Sequence, residues 1–180
     1  AEGCRVVIEA SAPTQAAARL APASRVGLES EAVSYDQWQR IAQAISLQQG
    51  KTLVPCRGMV EGLRVRKDPG EMARIRRAVE ITSDAFAQVL HGVSPGAVER
   101  DLALAIEAAM KREGAEDLAF DLIVASGPRS ALPHGRASNR LLGVNEFVVF
   151  DIGARFEGYH SDMTRTVFTG RPDQKARDLY

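Results

Sequence analysis

The stretch FVVFDIGARFEGYHSDMTRTVF, residues 147–168, decides how the chain is read. It opens with the apolar strand formers Phe147, Val148, Val149 and Phe150, meets a carboxylate at Asp151, and turns through Gly153 to Gly158. From Tyr159 to Phe168 it returns as an alternating run rich in β-branched residues, the pattern of a β-hairpin. A tight loop centred on Phe156-Glu157 pairs 154 with 159, 153 with 160 and 152 with 161, and sets Asp151 directly opposite Asp162. Opposed residues share a face with Cβ atoms ~4.5–5.5 Å apart, and two like charges so placed repel. A hard divalent cation is the simplest compensator, because carboxylate oxygens suit Mg, Ca or Mn. The spacing of the two aspartates therefore predicts a metal site built across the hairpin, provided no bulge shifts the register.

Spacing alone leaves a second reading open, a hairpin with two solvent-facing aspartates. Two neighbouring features favour the metal. His160, Asp162, Thr164 and Thr166 fall on one face, a polar set able to hydrogen-bond a ligating carboxylate. The apolar run before Asp151 indicates a buried strand, where an unpaired carboxylate is expensive.

The pattern Asp151-x-Gly153-x-x-x-x-Gly158-Tyr159-x-Ser161-Asp162-x-Thr164-Arg165-Thr166 resembles the signature of the pita-bread metallopeptidases, most closely the Xaa-Pro dipeptidase (prolidase) and aminopeptidase P branch. Ser126-Gly127-Pro128-Arg129-Ser130-Ala131-Leu132-Pro133-His134-Gly135 is similar to the segment that carries that family's catalytic histidine. Leu63-Arg64-Val65-Arg66-Lys67-Asp68-Pro69-Gly70-Glu71 resembles its entry into the catalytic domain. Three motifs in the right order, over most of residues 60–172, make a far more specific match than any one of them.

Composition is that of an ordinary globular chain: 180 residues, 45% hydrophobic and 26% charged. Its 23 basic and 23 acidic residues balance, which gives no footing to a nucleic-acid or anionic-membrane partner. No apolar run approaches the ~20 residues of a membrane span, and Ala1-Glu2-Gly3-Cys4-Arg5 has no signal-peptide pattern. Cys4 and Cys56 stand without metal-type spacing and read as free thiols of a reducing, cytoplasmic protein. Ala1 reads as the interior of a longer sequence, whose true N-terminus would decide any targeting.

Taken in order, residues 5–9, 24–28 and 52–54 read as strands, with helices over 12–20 and 35–45 between them. Ser34 is the N-cap of the second helix, and Trp38, Ile41 and Ile45 are its core residues. Strand–helix alternation predicts an α/β layer with a partly parallel sheet over residues 1–66. Asp68-Pro69-Gly70-Glu71 is a helix start with a reciprocal cap. The helix it opens buries Ile75, Val79, Thr82, Phe86, Val89 and Leu90 and solvates Arg74, Arg76 and Arg77. A second helix follows Ser94-Pro95-Gly96, with Val98, Leu102, Ile106 and Met110 inward and Glu99, Asp101 and Glu107 as surface charges. A strand over 117–125, a loop bearing His134 and the hairpin complete an α+β unit, residues 67–180, with an antiparallel, curved sheet. A last helix opened near Pro172 reaches Tyr180 without a stop signal, which reads as an internal piece of a longer enzyme.

The resemblance implies that residues 1–66 are the end of a creatinase-like α/β N-terminal domain and 67–180 the first half of a pita-bread catalytic domain. It assigns Asp151 and Asp162 as metal ligands and His134 as the catalytic histidine, donating a hydrogen bond to the substrate or shuttling a proton near the scissile bond. Among the other histidines, His91 at a helix end reads as structural and His160 has no ligand role in the family pattern. The implied cofactors are two divalent ions ~3.5–4 Å apart activating a water, with Mn(II) favoured and Co or Zn as substitutes. A histidine and two glutamates, absent from these residues, complete that site in the family, so the 180-residue chain alone is expected to be inactive. The implied partners are a peptide with proline at its second position and a second copy of the chain. Methionine aminopeptidases share the hairpin motif but usually lack a large preceding domain. Non-catalytic pita-bread binding modules have typically lost the two carboxylates that Asp151 and Asp162 supply. No Gly-x-Ser-x-Gly, P-loop or dinucleotide fingerprint offers another chemistry.

Overall fold

A computed structural model describes residues 25–31, 33–46 and 50–180, and the chain divides into two compact units after Arg66. Cys4, the strand expected over 5–9 and the helix over 12–20 lie outside the described residues.

In the first unit, β1 (Arg25–Glu29) and β2 (Thr52–Cys56) pair in parallel across α1 (Tyr35–Ser46). A parallel pair needs such a crossover, so the strand–helix–strand alternation in the sequence is repaid directly. Ser34 caps α1 as expected: the Gln37 backbone N–H donates to its Oγ at 3.3 Å, and the Ser34 backbone N–H donates to Gln37 Oε1 at 3.2 Å. Ile41 and Ile45 are buried, while Trp38 is only half-buried. A short helix, α2 (Met59–Arg64), follows where no element is expected from the sequence.

The second unit places two helices against two small antiparallel sheets. α3 (Pro69–Leu90) starts with the reciprocal cap read from the sequence, Glu71 N–H donating to Asp68 Oδ1 at 2.8 Å and Asp68 N–H to Glu71 Oε2 at 2.7 Å. Its buried stripe is Ala78, Ile81, Thr82 and Ala85, with Val79 45% and Leu90 40% exposed. The expected stripe ran through Val79 and Leu90. The structure turns the helix so that two alanines face the sheet and let it approach. α4 (Glu99–Arg112) buries Leu102, Ile106, Ala109 and Met110 as its apolar face.

The single strand expected over 117–125 is two. β3 (Asp117–Leu118) pairs with β6 (Ala154–Phe156), and β4 (Ile123–Ser126) pairs with β5 (Phe147–Ile152). β7 (Tyr159–His160) and β8 (Met163–Phe168) complete sheets ordered β3-β6-β7 and β4-β5-β8. α5 (Gln174–Leu179) closes the chain, its first turn capped by Asp173, one residue past the expected Pro172. β5 alternates strictly: Val148, Phe150 and Ile152 are fully buried against Ile81, Ala85, Ile106 and Met110, with Phe86 and Phe150 edge to face at 5.3 Å. Phe147, Val149 and Asp151 point to the opposite face. Among the described residues no helix is long and apolar enough to cross a membrane.

The hairpin register differs from the expected one. The loop is Glu157-Gly158, both with positive φ (46° and 77°), the condition of a two-residue type I′ turn with glycine second. Phe156 therefore pairs with Tyr159 and Arg155 with His160, and Asp151 lies opposite Thr164 instead of Asp162. The slip is two residues. A slip of one would have flipped every side chain to the other face; a slip of two preserves the face. Ser161 is buried, Asp162 exposed, Met163 packed on the core and Thr164 exposed, so the alternation holds across the gap between β7 and β8. Asp162 thus shares a face with Asp151 as its diagonal neighbour, where Cβ separations are ~7–8 Å or somewhat less.

That gap is packed tightly. A Cβ added to Gly153 would overlap the Ser161 carbonyl and lie 2.9 Å from the Phe120 ring. Gly153→Ala is therefore expected to destabilise by about 1–3 kcal/mol or more, read as a lowered urea midpoint. An unchanged midpoint would show that the backbone gives way at no cost.

Candidate metal centre

Asp151 sits in the middle strand of its sheet, between Ile123 of β4 and Thr164 of β8. It is half-buried on the face away from the core, and Thr164 Oγ1 donates to its Oδ1 at 3.1 Å. That hydroxyl fixes the carboxylate's rotation and leaves the second oxygen for another partner. Thr164 belongs to the polar face read from the sequence, so the bracing role expected of that face falls to it. Asp162 is exposed and accepts no hydrogen bond from the described residues. Two hard oxygen donors on one face, one braced and one unengaged, fit part of a site for a divalent cation. Among the described residues no group of three or more His, Cys, Asp or Glu converges.

A cleft of about 200 Å³ opens on this face, lined by Ile123, Ala125, Leu132, Pro133, Asp151 and Thr164 among others. Its rim is the chain after β4: a 3-10 helix, Gly127–Ala131, then a turn at Pro133-His134. His134 is exposed on that turn, next to the lining residue Pro133, and its carbonyl accepts from the Arg136 amide at 2.9 Å. The structure thus brings Asp151 and the His134 loop to one cleft. His160 lies exposed in the other sheet, opposite Arg155. His91 is the exposed C-cap residue of α3.

Glu99 corrects the sequence reading. Expected as a surface charge, it is fully buried at the start of α4. Its Oε1 accepts from the Ser126 amide (2.8 Å) and Ser126 Oγ (2.7 Å). Its Oε2 accepts from the Ser138 amide (3.1 Å), Ser138 Oγ (2.6 Å) and the Arg129 guanidinium. Arg140 extends the network, pairing in bidentate fashion with Glu146 at 2.6 and 2.8 Å and donating to Ser126 Oγ. The signal was present: Glu99 precedes Leu102 and Ile106 by three and seven positions, which is the buried stripe of α4. A buried carboxylate so placed needs donors, and Ser126, Arg129 and Ser138 supply them.

The sequence profile of metallopeptidase family M24 matches residues 73–180. An uncharacterized peptidase of Bacillus subtilis, YqhT, is 38% identical over 156 residues, 87% of this chain and 43% of its own length. The Xaa-Pro dipeptidase of Pyrococcus furiosus is 42% identical over 122 residues, 68% of this chain and 35% of its own. Among solved structures, an X-Pro aminopeptidase from Thermotoga maritima superposes with a TM-score of 0.79 at 37% identity, over 86% of this chain and 43% of that one. A Xaa-Pro dipeptidase from Bacillus anthracis superposes at 0.80 and 36%, over 86% and 42%. The chain therefore spans less than half the length of these relatives, and its α+β architecture is part of the pita-bread fold of prolidases and aminopeptidases P.

Burial pushes the Glu99 carboxyl up, but hydrogen bonds from Ser138 and Ser126 more than offset it and hold the group below its ordinary value. The folded state then binds this proton more weakly than the unfolded state. Its contribution to stability is complete above the ordinary glutamate value of about 4.3 and is lost as the pH falls from there through the lowered folded-state value. Urea midpoints measured from neutral to acidic pH should fall in that window, and Glu99→Gln should flatten this part of the curve. An equally steep fall in the variant would place the acid sensitivity elsewhere.

Proposed function

Because the chain belongs to metallopeptidase family M24, whose members use divalent metal ions, we propose that the protein is an exopeptidase hydrolysing the bond before proline. The observation that supports the reading is Asp151, braced by Thr164 in the cleft that the His134 loop borders, with Asp162 exposed two residues before Thr164. The Xaa-Pro dipeptidase and X-Pro aminopeptidase relatives support proline at the second position of the substrate.

In this reading Asp151 and Asp162 contribute oxygen ligands to two divalent ions, with Mn(II) the preferred metal for a carboxylate-rich set. Two aspartates are too few donors for two ions, and the family resemblance assigns a histidine and two glutamates outside these 180 residues to the same site. When bound, the metal supplies Lewis acidity and a water acidic enough to ionise near neutral pH. Thr164 keeps the Asp151 carboxylate in one rotamer, so that its ligating oxygen is presented without a search over orientations. His134, exposed on the turn beside the cleft, donates a hydrogen bond or proton where charge develops on the scissile peptide. Ile123, Leu132 and Pro133 give the cleft apolar walls that a proline ring fits. A homodimer and a cytoplasmic location complete the reading, the first from the family resemblance and the second from cysteine usage.

The whole protein, titrated with Mn(II), should turn over Xaa-Pro dipeptides or peptides in preference to Xaa-Ala counterparts and lose that activity to a chelator. Asp162→Asn should lose metal and turnover together. His134→Ala should keep its metal while kcat falls ~10²–10³-fold, the usual effect of removing a transition-state donor. Chelator-resistant turnover would overturn the metallopeptidase reading, and metal loss in His134→Ala would make that residue a ligand.

A further inference from the structure

The segment between Ser126 and Ser138 carries His134 but contains little regular structure beyond one short 3-10 helix. Such a loop does not hold an exposed histidine in one place by itself. Yet both of its ends and its middle meet at one atom group. Glu99 Oε1 takes the amide and hydroxyl of Ser126, where β4 ends, and Oε2 takes the amide and hydroxyl of Ser138, where the loop rejoins the fold. Arg129, from within the loop, is ion-paired to Oε2 and also donates to the Arg136 carbonyl at 2.7 Å, two residues past His134. The turn is pressed onto the same strand: an added Cβ at Gly135 would lie 3.2 Å from Ala125 Cβ and 3.2 Å from the Arg129 carbonyl. Glu99 itself is anchored on α4, a 14-residue helix packed in the core.

We propose that Glu99 is the positioning residue for His134: its buried carboxylate closes the base of the 127–138 loop and thereby fixes the histidine at the cleft. Glutamine at this position would present an amide group to donors already pointing inward, so at least one of Ser126, Ser138 and Arg129 is left unpaired. The loop then opens at its base while α4 and β5 stay packed. A reacting group displaced by about 1 Å costs on the order of 10²-fold in rate, without touching a metal ligand. The kinetic part of this proposal rests on the peptidase reading; the structural part does not.

The test is Glu99→Gln, alone and combined with His134→Ala, in the whole protein loaded with Mn(II). Amide hydrogen exchange over 127–138 should speed up by roughly tenfold or more while α3 and β5 keep wild-type protection. The kcat for a Xaa-Pro dipeptide should fall on the order of 10²-fold, with KM and metal content near wild type. The double variant should be no slower than His134→Ala, because Glu99 acts only through that residue. Multiplying losses, or wild-type exchange in the loop, would overturn the proposal. If Glu99→Gln does not fold, Ser138→Ala removes one donor, keeps the ion pair, and is judged by the same two criteria with smaller effects. A wild-type protein that exchanges as expected but hydrolyses no Xaa-Pro peptide would overturn the peptidase reading and the catalytic role with it. Faster loop exchange in the variant would still show that Glu99 holds the loop, so the two failures are separable.

Discussion

The arrangement of the sheet face that carries Asp151 depends on a two-residue turn. Glu157 and Gly158 both lie at positive φ, a conformation that matches the right-handed twist of the flanking strands and tolerates few residues. Once the turn is placed there, every pairing behind it follows, from Phe156–Tyr159 to Phe147–Phe168. Asp151 acquires a hydroxyl partner opposite it and a carboxylate on the diagonal. The direct opposition of two aspartates would have demanded a cation merely to exist. The diagonal relaxes that demand, and Thr164 occupies the crowded position with a donor.

The turn sets the register, but a second constraint keeps it across the gap between β7 and β8. Gly153 lets the Ser161 backbone come into contact with β5's continuation, where no side chain would fit. The Ala154 amide then donates to Thr82 Oγ1 at 3.1 Å and Ser161 Oγ at 2.9 Å, and those two hydroxyls meet at 2.7 Å. All are buried, so each unmade bond would carry its full desolvation cost. The hydroxyl of Thr82 on α3 and the Ala154 amide thus hold Ser161, the residue just before Asp162, by its own hydroxyl. The alternation that puts Asp162 on the Asp151 face continues because Ser161 cannot turn out.

How much of this was legible in the sequence differs by element. The reciprocal cap at Asp68 and Glu71 and the hairpin are local patterns, and the β1–β2 pair follows from strand–helix–strand alternation; Asp151 and Asp162 stand out in the sequence, but Asp151 lies opposite Thr164. The register is two residues from that of a loop centred on Phe156-Glu157, because the backbone conformation that glycine permits places the turn at Glu157-Gly158. The stripe of α3 was misplaced because the sequence rewards large apolar residues, and the sheet selected Ala78 and Ala85 for close approach. The charge of Glu99 suggests the surface, whereas its position on α4 does not. Its spacing to Leu102 and Ile106 put it inside, but its donors lie 27 and 39 residues away, a pairing that no local pattern announces.

Stability does not explain why such a group is there. Burying a carboxylate and a guanidinium incurs a desolvation cost that their attraction roughly offsets, and apolar replacements of similar volume are often as stable or more so. An apolar residue at 99 could fill the same space in the core beside Leu102. It could not tie Ser126 to Ser138. What the carboxylate adds is geometry: two oxygens accept from both ends of one loop and from a guanidinium inside it, and only one arrangement of that loop satisfies all of them. A hydrophobic contact tolerates sliding, whereas these bonds weaken steeply with angle and distance. The network therefore restricts the loop to a single conformation in a way that packing alone would not, and the residue at its tip is His134.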